Sequence, residues 1–309
     1  MITRRELIGA AAGGALLKSL PVIAATEPAA ATLGQVRTMT ITVSRLKEVE
    51  AAWTKYLEYQ VIKRDRLSSQ MAESWGAPAL KGKPFVVLGP KSGEPTYIRF
   101  VEQQTPADFD LTDTYGWRTT EITVQNGDEL YERLKDSPFE MRGPPGTIPT
   151  YPYLRPLGAI GPGGERLAFT WITEPRPDLA AAKSFVGRCF LAAQTTPELQ
   201  QSLDFYQNTF GNVPSPIRRL PTFALATITL GNGSKLEVDE HKGPGRPRPR
   251  VPGGLPPGLA MVTFECSSFD RHASKFIGRP VANGIHTPAS ARVGTIVGHS
   301  GELVELLEV

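Results

Sequence analysis

Two cysteines, four histidines and a formal net charge of only +3 are all that 309 residues supply, and each shortage excludes something. Cys189 and Cys266 cannot build a disulfide framework. One bridge between them is allowed in an oxidising compartment if the geometry suits, while their strand-like settings equally fit buried, small, apolar side chains. A charge so near balance leaves no electrostatic footprint for nucleic acid. The apolar run from Gly9 to Leu17 is too short to span a bilayer as a helix, so no stable membrane span is expected. The glycine clusters Gly143-Pro144-Pro145-Gly146, Gly161-Pro162-Gly163-Gly164 and Gly253-Gly254 lack the lysine and the helix that a phosphate-cradling loop requires. No serine elbow and no cysteine and histidine pair stands in recognisable context. What remains, 40% hydrophobic and 21% charged residues, fits a soluble globular chain long enough for two domains with separate cores.

The N-terminus reads Thr3-Arg4-Arg5-Glu6-Leu7-Ile8, then the apolar run, then small residues around Ala24-Ala25 and Ala29-Ala30-Ala31. That three-part pattern resembles a bacterial twin-arginine export signal over residues 1–31, a removable address with cleavage after Ala24 or Ala31. It implies passage through the twin-arginine translocase and a periplasmic mature protein. An amphipathic or buried N-terminal helix is the alternative reading.

The body of the chain repeats itself. Gly301-Glu302-Leu303-Val304-Glu305-Leu306 matches Gly164-Glu165-Arg166-Leu167-Ala168-Phe169, with Glu305 where the earlier copy has Ala168. Tyr97-Ile98-Arg99-Phe100-Val101-Glu102 matches Lys235-Leu236-Glu237-Val238-Asp239-Glu240, each after a small turn. Asp128 and Asp270 each follow a strand-like run and open a helix-like segment. Such a period governs the architecture and precedes any reading of single elements. Leu46 to Tyr59 carries apolar residues at helical spacing. Leu199, Leu203, Tyr206 and Phe210 give a second helix its apolar face, opened at Thr196-Pro197-Glu198 and ended by Gly211. Asn232-Gly233 signals a hairpin. The proline-rich Thr173–Asp178 stretch is the expected boundary between modules at 34–173 and 184–309. A loop from Lys242 to Pro257, with Arg246, Arg248 and Arg250 among prolines, is expected as an extended, solvated linker, with an anion-binding arm as the sharper reading.

Strand, helix, three strands, four times over, with segments such as Ser202-Leu203-Asp204-Phe205-Tyr206-Gln207-Asn208-Thr209-Phe210-Gly211, resembles the vicinal oxygen chelate superfamily across roughly residues 34 to 309. That group includes glyoxalase I, extradiol dioxygenases, and fosfomycin- and bleomycin-resistance proteins. The resemblance implies an α+β fold of repeated βαβββ units forming two half-open barrel modules. It also implies a metal held from four positions per module, one in each unit's first strand and one in its last. Those positions carry Thr38, Arg99, Thr119 and Ala168 in the first half, and Phe190 or Leu191, Glu237, Met261 and Glu305 in the second. The usual histidines are absent, so the cofactor is undetermined; Glu237 and Glu305 are the metal donors if a divalent cation binds.

Glu237 and Glu305 are accordingly the candidate catalytic residues. Each interrupts an apolar strand, and if the fold turns both towards one concave surface, their repulsion lifts one pKa towards neutrality, as a general base requires. Alternation equally allows both to face solvent. Arg99, replacing an acid at its repeat position, suits a substrate carboxylate or enolate, with Tyr97, Trp117 and Met261 in the pocket wall. Two functions follow: a lyase or isomerase acting on a small carbonyl or aromatic substrate, and a sequestering protein that binds a small molecule without chemistry. A metal-dependent dioxygenase comes third. Pairing of the halves within one chain and between the chains of a homodimer both stay open.

Overall fold

The computed structural model describes residues 30–241, 243, 245–286 and 288–309; the expected export signal lies outside them except for its last two residues. Four units follow one another. The first runs β1 (Leu33–Val43), α1 (Leu46–Tyr56), β2 (Gln60–Arg66), α2 (Ser69–Ser74), β3 (Pro84–Gly89) and β4 (Tyr97–Glu102). The second runs β5 (Gly116–Val124), α3 (Gly127–Leu134), β6 (Glu140–Met141), β7 (Leu154–Ile160) and β8 (Arg166–Ile172). The third holds β9 (Val186–Thr196), α4 (Leu199–Phe210), β10 (Arg218–Arg219), β11 (Ala224–Thr229) and β12 (Lys235–Glu240). The fourth holds β13 (Gly258–Cys266), a 3-10 helix at Phe269–Lys275, β14 (Val281–Ala282), β15 (Arg292–Val297) and β16 (Leu303–Glu308).

Local chemistry sets these boundaries. Leu46, Val49, Ala52 and Trp53 line the buried stripe of α1. The helix stops three residues short of the expected Tyr59, because Glu58 turns into the left-handed region at φ 57° and Tyr59 folds back into the core. Asn126 caps α3 by accepting from the Glu129 backbone N–H at 3.1 Å, with Asp128 in the first turn, where negative charge suits the helix dipole. Gly211 ends α4 at φ 73°, a conformation that favours glycine.

The strands form two eight-stranded sheets, ordered β14-β15-β16-β13-β1-β4-β3-β2 and β10-β11-β12-β9-β5-β8-β7-β6. The partnership differs from the sequence expectation. Units one and four share the first sheet and units two and three the second, so neither 34–173 nor 184–309 owns a sheet. First strands pair antiparallel at each centre, Thr40 opposite Met261 and Thr119 opposite Ala193. Within each unit the last strand lies parallel to the first, with Thr40 beside Arg99 and Thr263 beside Glu305. Both sheets are complete within one chain.

Alternation puts Met39, Ile41, Ile98, Phe100, Ile122, Phe169, Leu236, Val262, Phe264, Val304 and Leu306 into one continuous core between the sheets and helices. Neighbouring units meet across this core through two equivalent glutamates. Trp53 of unit one donates its indole N–H to Glu165 of unit two at 2.7 Å, and Tyr206 of unit three donates its hydroxyl to Glu302 of unit four at 3.1 Å. A Cβ on Gly161 or Gly298 would stand 2.0 Å from the respective carboxylate, so glycine is what lets each turn close around its glutamate. Cys189 and Cys266 are free, buried and on different sheets; the bridge that composition allowed is not made.

Candidate functional site

The same alternation turns the odd-numbered residues of β4 and β16 away from the core, onto the inner face of the first sheet. Four neighbouring positions there are Thr40, Arg99, Thr263 and Glu305. The guanidinium of Arg99 lies 3.0 Å from the Glu305 carboxylate, with side-chain exposures of 4% and 2%. Arg99 Nε and Nη2 donate to Thr40 Oγ1 at 3.0 and 2.8 Å. Glu305 accepts from Thr263 Oγ1 at 2.6 Å and from Trp75 Nε1 at 2.7 Å. Trp75, carried in by the segment after α2, also stacks its ring 4.4 Å from the guanidinium. Met261 packs beneath it with Ala72, Leu80 and Leu303. Where the resemblance implies a metal, the first sheet has a hydrogen-bonded ion pair whose guanidinium would oppose a cation, so the residues present do not fit one.

His286 completes this face. Arg37 only donates, so its contact to Nδ1 at 3.3 Å makes that nitrogen the acceptor and leaves Nε2 to donate to Thr38 Oγ1 at 3.0 Å. The neutral imidazole agrees with a pKa lowered to about 3 by burial and by the charges of Arg37 and Arg99. Tyr97 tilts against its ring at 5.4 Å between centroids. A cavity of about 210 Å³ opens in front of Arg99 and Trp75, edged by Lys63, Arg66 and Asn283.

The second sheet keeps a different set. Its equivalent positions are Glu121, Ala168, Ala193 and Glu237, with Glu121 beside Ala168 and Ala193 beside Glu237. Asp239 follows on the same face two residues after Glu237. All three acids are half-buried. Burial, then the charges of Asp239 and Glu121, lift Glu237 well above the usual carboxylate range, against a smaller opposing pull from Arg218. Glu121 is raised to about 7 by burial, despite accepting a hydrogen bond from Thr170. Asp239 is raised to about 6 by burial, while Arg118 and Arg166 pull it down. Among the described residues, no three His, Cys, Asp or Glu side chains converge closely enough to hold a metal ion, so this donor set does not fit one either.

Several sequence expectations change here. Glu237 and Glu305 do not share a surface; each lies on its own sheet, Glu305 neutralised by Arg99 and Glu237 grouped with Glu121 and Asp239. Arg99 and Tyr97 do share a face, but Trp117 does not wall it. Trp117 is buried, donating Nε1–H to the Leu303 carbonyl at 2.7 Å and lying 5.9 Å from the Phe264 ring. Arg248, expected in a solvated linker, turns inward and donates to the carbonyls of Trp117 and Leu259. Sequence reading passed over Glu121, Asp239, Trp75 and His286. A signal existed for the first two, since Asp239 lies two residues after Glu237 and Glu121 two residues after Thr119, each at the parity of a named site position. None existed for Trp75 and His286, which arrive from segments outside the repeat.

No family model matches the chain, and no curated protein matches it by sequence. Its shape is far from solitary. Glyoxalase I from Zea mays aligns at a TM-score of 0.60 and 14% identity, covering 89% of this chain and 92% of that one; a point mutant of that enzyme aligns at 0.61. A proposed dioxygenase from Bacillus subtilis subsp. subtilis str. 168 aligns at 0.62 and 12% identity, covering 90% and 86%. The architecture is therefore the α+β glyoxalase-like one, with two curled eight-stranded sheets. At this identity the likeness is one of fold, and the site must argue for itself.

Proposed function

We propose that the chain is an exported member of the vicinal oxygen chelate superfamily, acting in the periplasm as a lyase- or isomerase-type enzyme on a small carbonyl or aromatic substrate. The chemistry is acid–base, carried by Glu237 with Glu121 and Asp239 on the inner face of the second sheet. One observation carries this reading: Glu237, Glu121 and Asp239 share a half-buried face, where burial raises the pKa of each, Glu121 to about 7 and Asp239 to about 6, and the neighbouring acids add to the rise at Glu237. A carboxylate near pH 7 can take a proton next to a carbonyl and return it, which an ordinary carboxylate does poorly. Arg118, Arg166 and Arg218 supply the positive charge that stabilises a developing enolate. Glu305, the other candidate from the sequence, has its lone pairs committed to Arg99, Thr263 and Trp75, and on this reading it is structural.

Export rests on Arg4-Arg5 and the apolar run that follows, and predicts translocation dependent on the twin-arginine translocase. The chemistry is tested by proton NMR in deuterium oxide, following exchange of the protons next to the carbonyl in a panel of 2-oxo acids and aryl ketones. Wild type should exchange at least one of them faster than buffer, and Glu237→Gln should lose about 10²–10⁴ of that rate. Exchange untouched in Glu237→Gln sinks the assignment. A second reading, a sequestering protein without chemistry, draws on the filled first-sheet face and the missing histidines; saturable binding with no exchange by wild type would select it.

A further inference from the structure

A second cavity, of about 430 Å³, lies where β5, β13 and β16 begin and the 247–254 loop crosses them, sharing only the Trp75 ring with the Arg99 face. Its size is that of a pocket able to enclose a small organic ligand. Three aromatic residues from two segments, Trp75 and the pair Tyr115 and Trp117, line it together with Arg248 and Arg250. No step of the proposed reaction uses this space.

Its charge is unbalanced. Arg248 donates to backbone carbonyls, Nη1 to Leu259 and Pro257 at 2.7 and 3.3 Å and Nη2 to Trp117, with its guanidinium 5.6 Å from the Phe109 ring. Its Nε is sealed from solvent with no partner. Among the described residues, neither Arg248 nor Arg250 stands within ion-pair distance of a carboxylate. Burial pulls the Arg248 pKa down to about 10, against a smaller opposing pull from Glu302. The acid in the cavity wall, Glu302, is committed elsewhere: its oxygens accept from the Tyr206 hydroxyl at 3.1 Å and the Ser300 backbone N–H at 2.9 Å. A fixed, desolvated cation facing aromatic walls is costly unless an anion completes it, and a flat apolar body with one carboxylate satisfies both features.

We propose that this cavity is a binding site for a small aromatic monocarboxylate, the carboxylate taken by Arg248 and Arg250 and the ring by Trp75, Tyr115 and Trp117. The loop from 247 to 254 is then a binding segment rather than a linker. Isothermal titration with 2-naphthoate, against 2-naphthalenemethanol as the uncharged control, tests it on the wild-type protein. The acid should bind saturably and the alcohol at least about tenfold more weakly, the value of a charge-assisted contact. Arg250→Gln, a surface change that disturbs no hydrogen bond of the fold, should weaken the acid about threefold to tenfold; Arg248→Met should weaken it further. Glu237→Gln should leave binding unchanged, which separates this site from the proposed reaction. Equal affinity for acid and alcohol, no saturable binding at millimolar concentration, unaltered binding in both arginine variants, or loss of binding in Glu237→Gln would each overturn the proposal.

Discussion

Replacing Arg99 by methionine removes the charge from the first-sheet ion pair while keeping most of the side-chain volume. Glu305 then stays buried with Thr263 and Trp75 as donors and no counter-ion, its nearest positive charge having been 3.0 Å away. Removing one partner of a buried pair costs about 3–5 kcal/mol, because the remaining charge is left uncompensated. Loss of the Trp75 stacking adds up to about 1–2 kcal/mol. Glu305→Gln alone strands the guanidinium in the same way, though Thr40 still accepts from it. The double variant Arg99→Met, Glu305→Gln should recover much of the loss. A glutamine oxygen can still accept the Trp75 N–H, so no indole donor is orphaned, and no net charge stays inside. Urea unfolding at pH 7, followed by tryptophan fluorescence, should therefore give a coupling energy of about 2–3 kcal/mol from the four-protein cycle. Additive single effects, or a loss below about 1 kcal/mol in Arg99→Met, would refute the view that the pair is buried and mutually dependent. They would instead favour an Arg99 free to bind substrate.

Two further expectations follow from burial. Glu165 is 2% exposed, and burial lifts its pKa from 4.5 to about 7. The folded state then holds a proton that the unfolded state releases, so stability falls as pH rises from about 4.5 through 7, by about 3 kcal/mol from this group at most. Glu165→Gln should flatten that slope in denaturant titrations between pH 5 and 8, and an unchanged slope would show that the group does not titrate there. The two cysteines should react with a thiol reagent only after unfolding, two equivalents per chain; one disulfide and no thiol would contradict their placement on separate sheets.

How much of this was legible beforehand depends on the range of the interaction. Alternation and helical spacing are local, so the four units, the Gly211 stop and the parity of Arg99, Glu237 and Glu305 could be read from short windows. The repeat matched the last-strand positions to one another, but the first-strand positions inferred with them, Thr38, Thr119, Leu191 and Met261, fall two residues before the residues that the parallel register sets beside Arg99, Ala168, Glu237 and Glu305. Glu121 was available by the same parity argument, and was missed because hydrophobic neighbours made its strand look like plain core.

The sequence by itself determined the unit and its four copies, since each copy folds by contacts within a few tens of residues. Only the tertiary structure decided which copies share a sheet. Unit one joins unit four, and that choice puts Arg99 opposite Glu305, parts Glu305 from Glu237, and closes the 247–254 loop over a cavity. All four units offer a similar open edge strand, so local pattern cannot rank the pairings. Burial of the continuous core between two sheets, pinned by Trp53 on Glu165 and Tyr206 on Glu302, is a property of the whole chain.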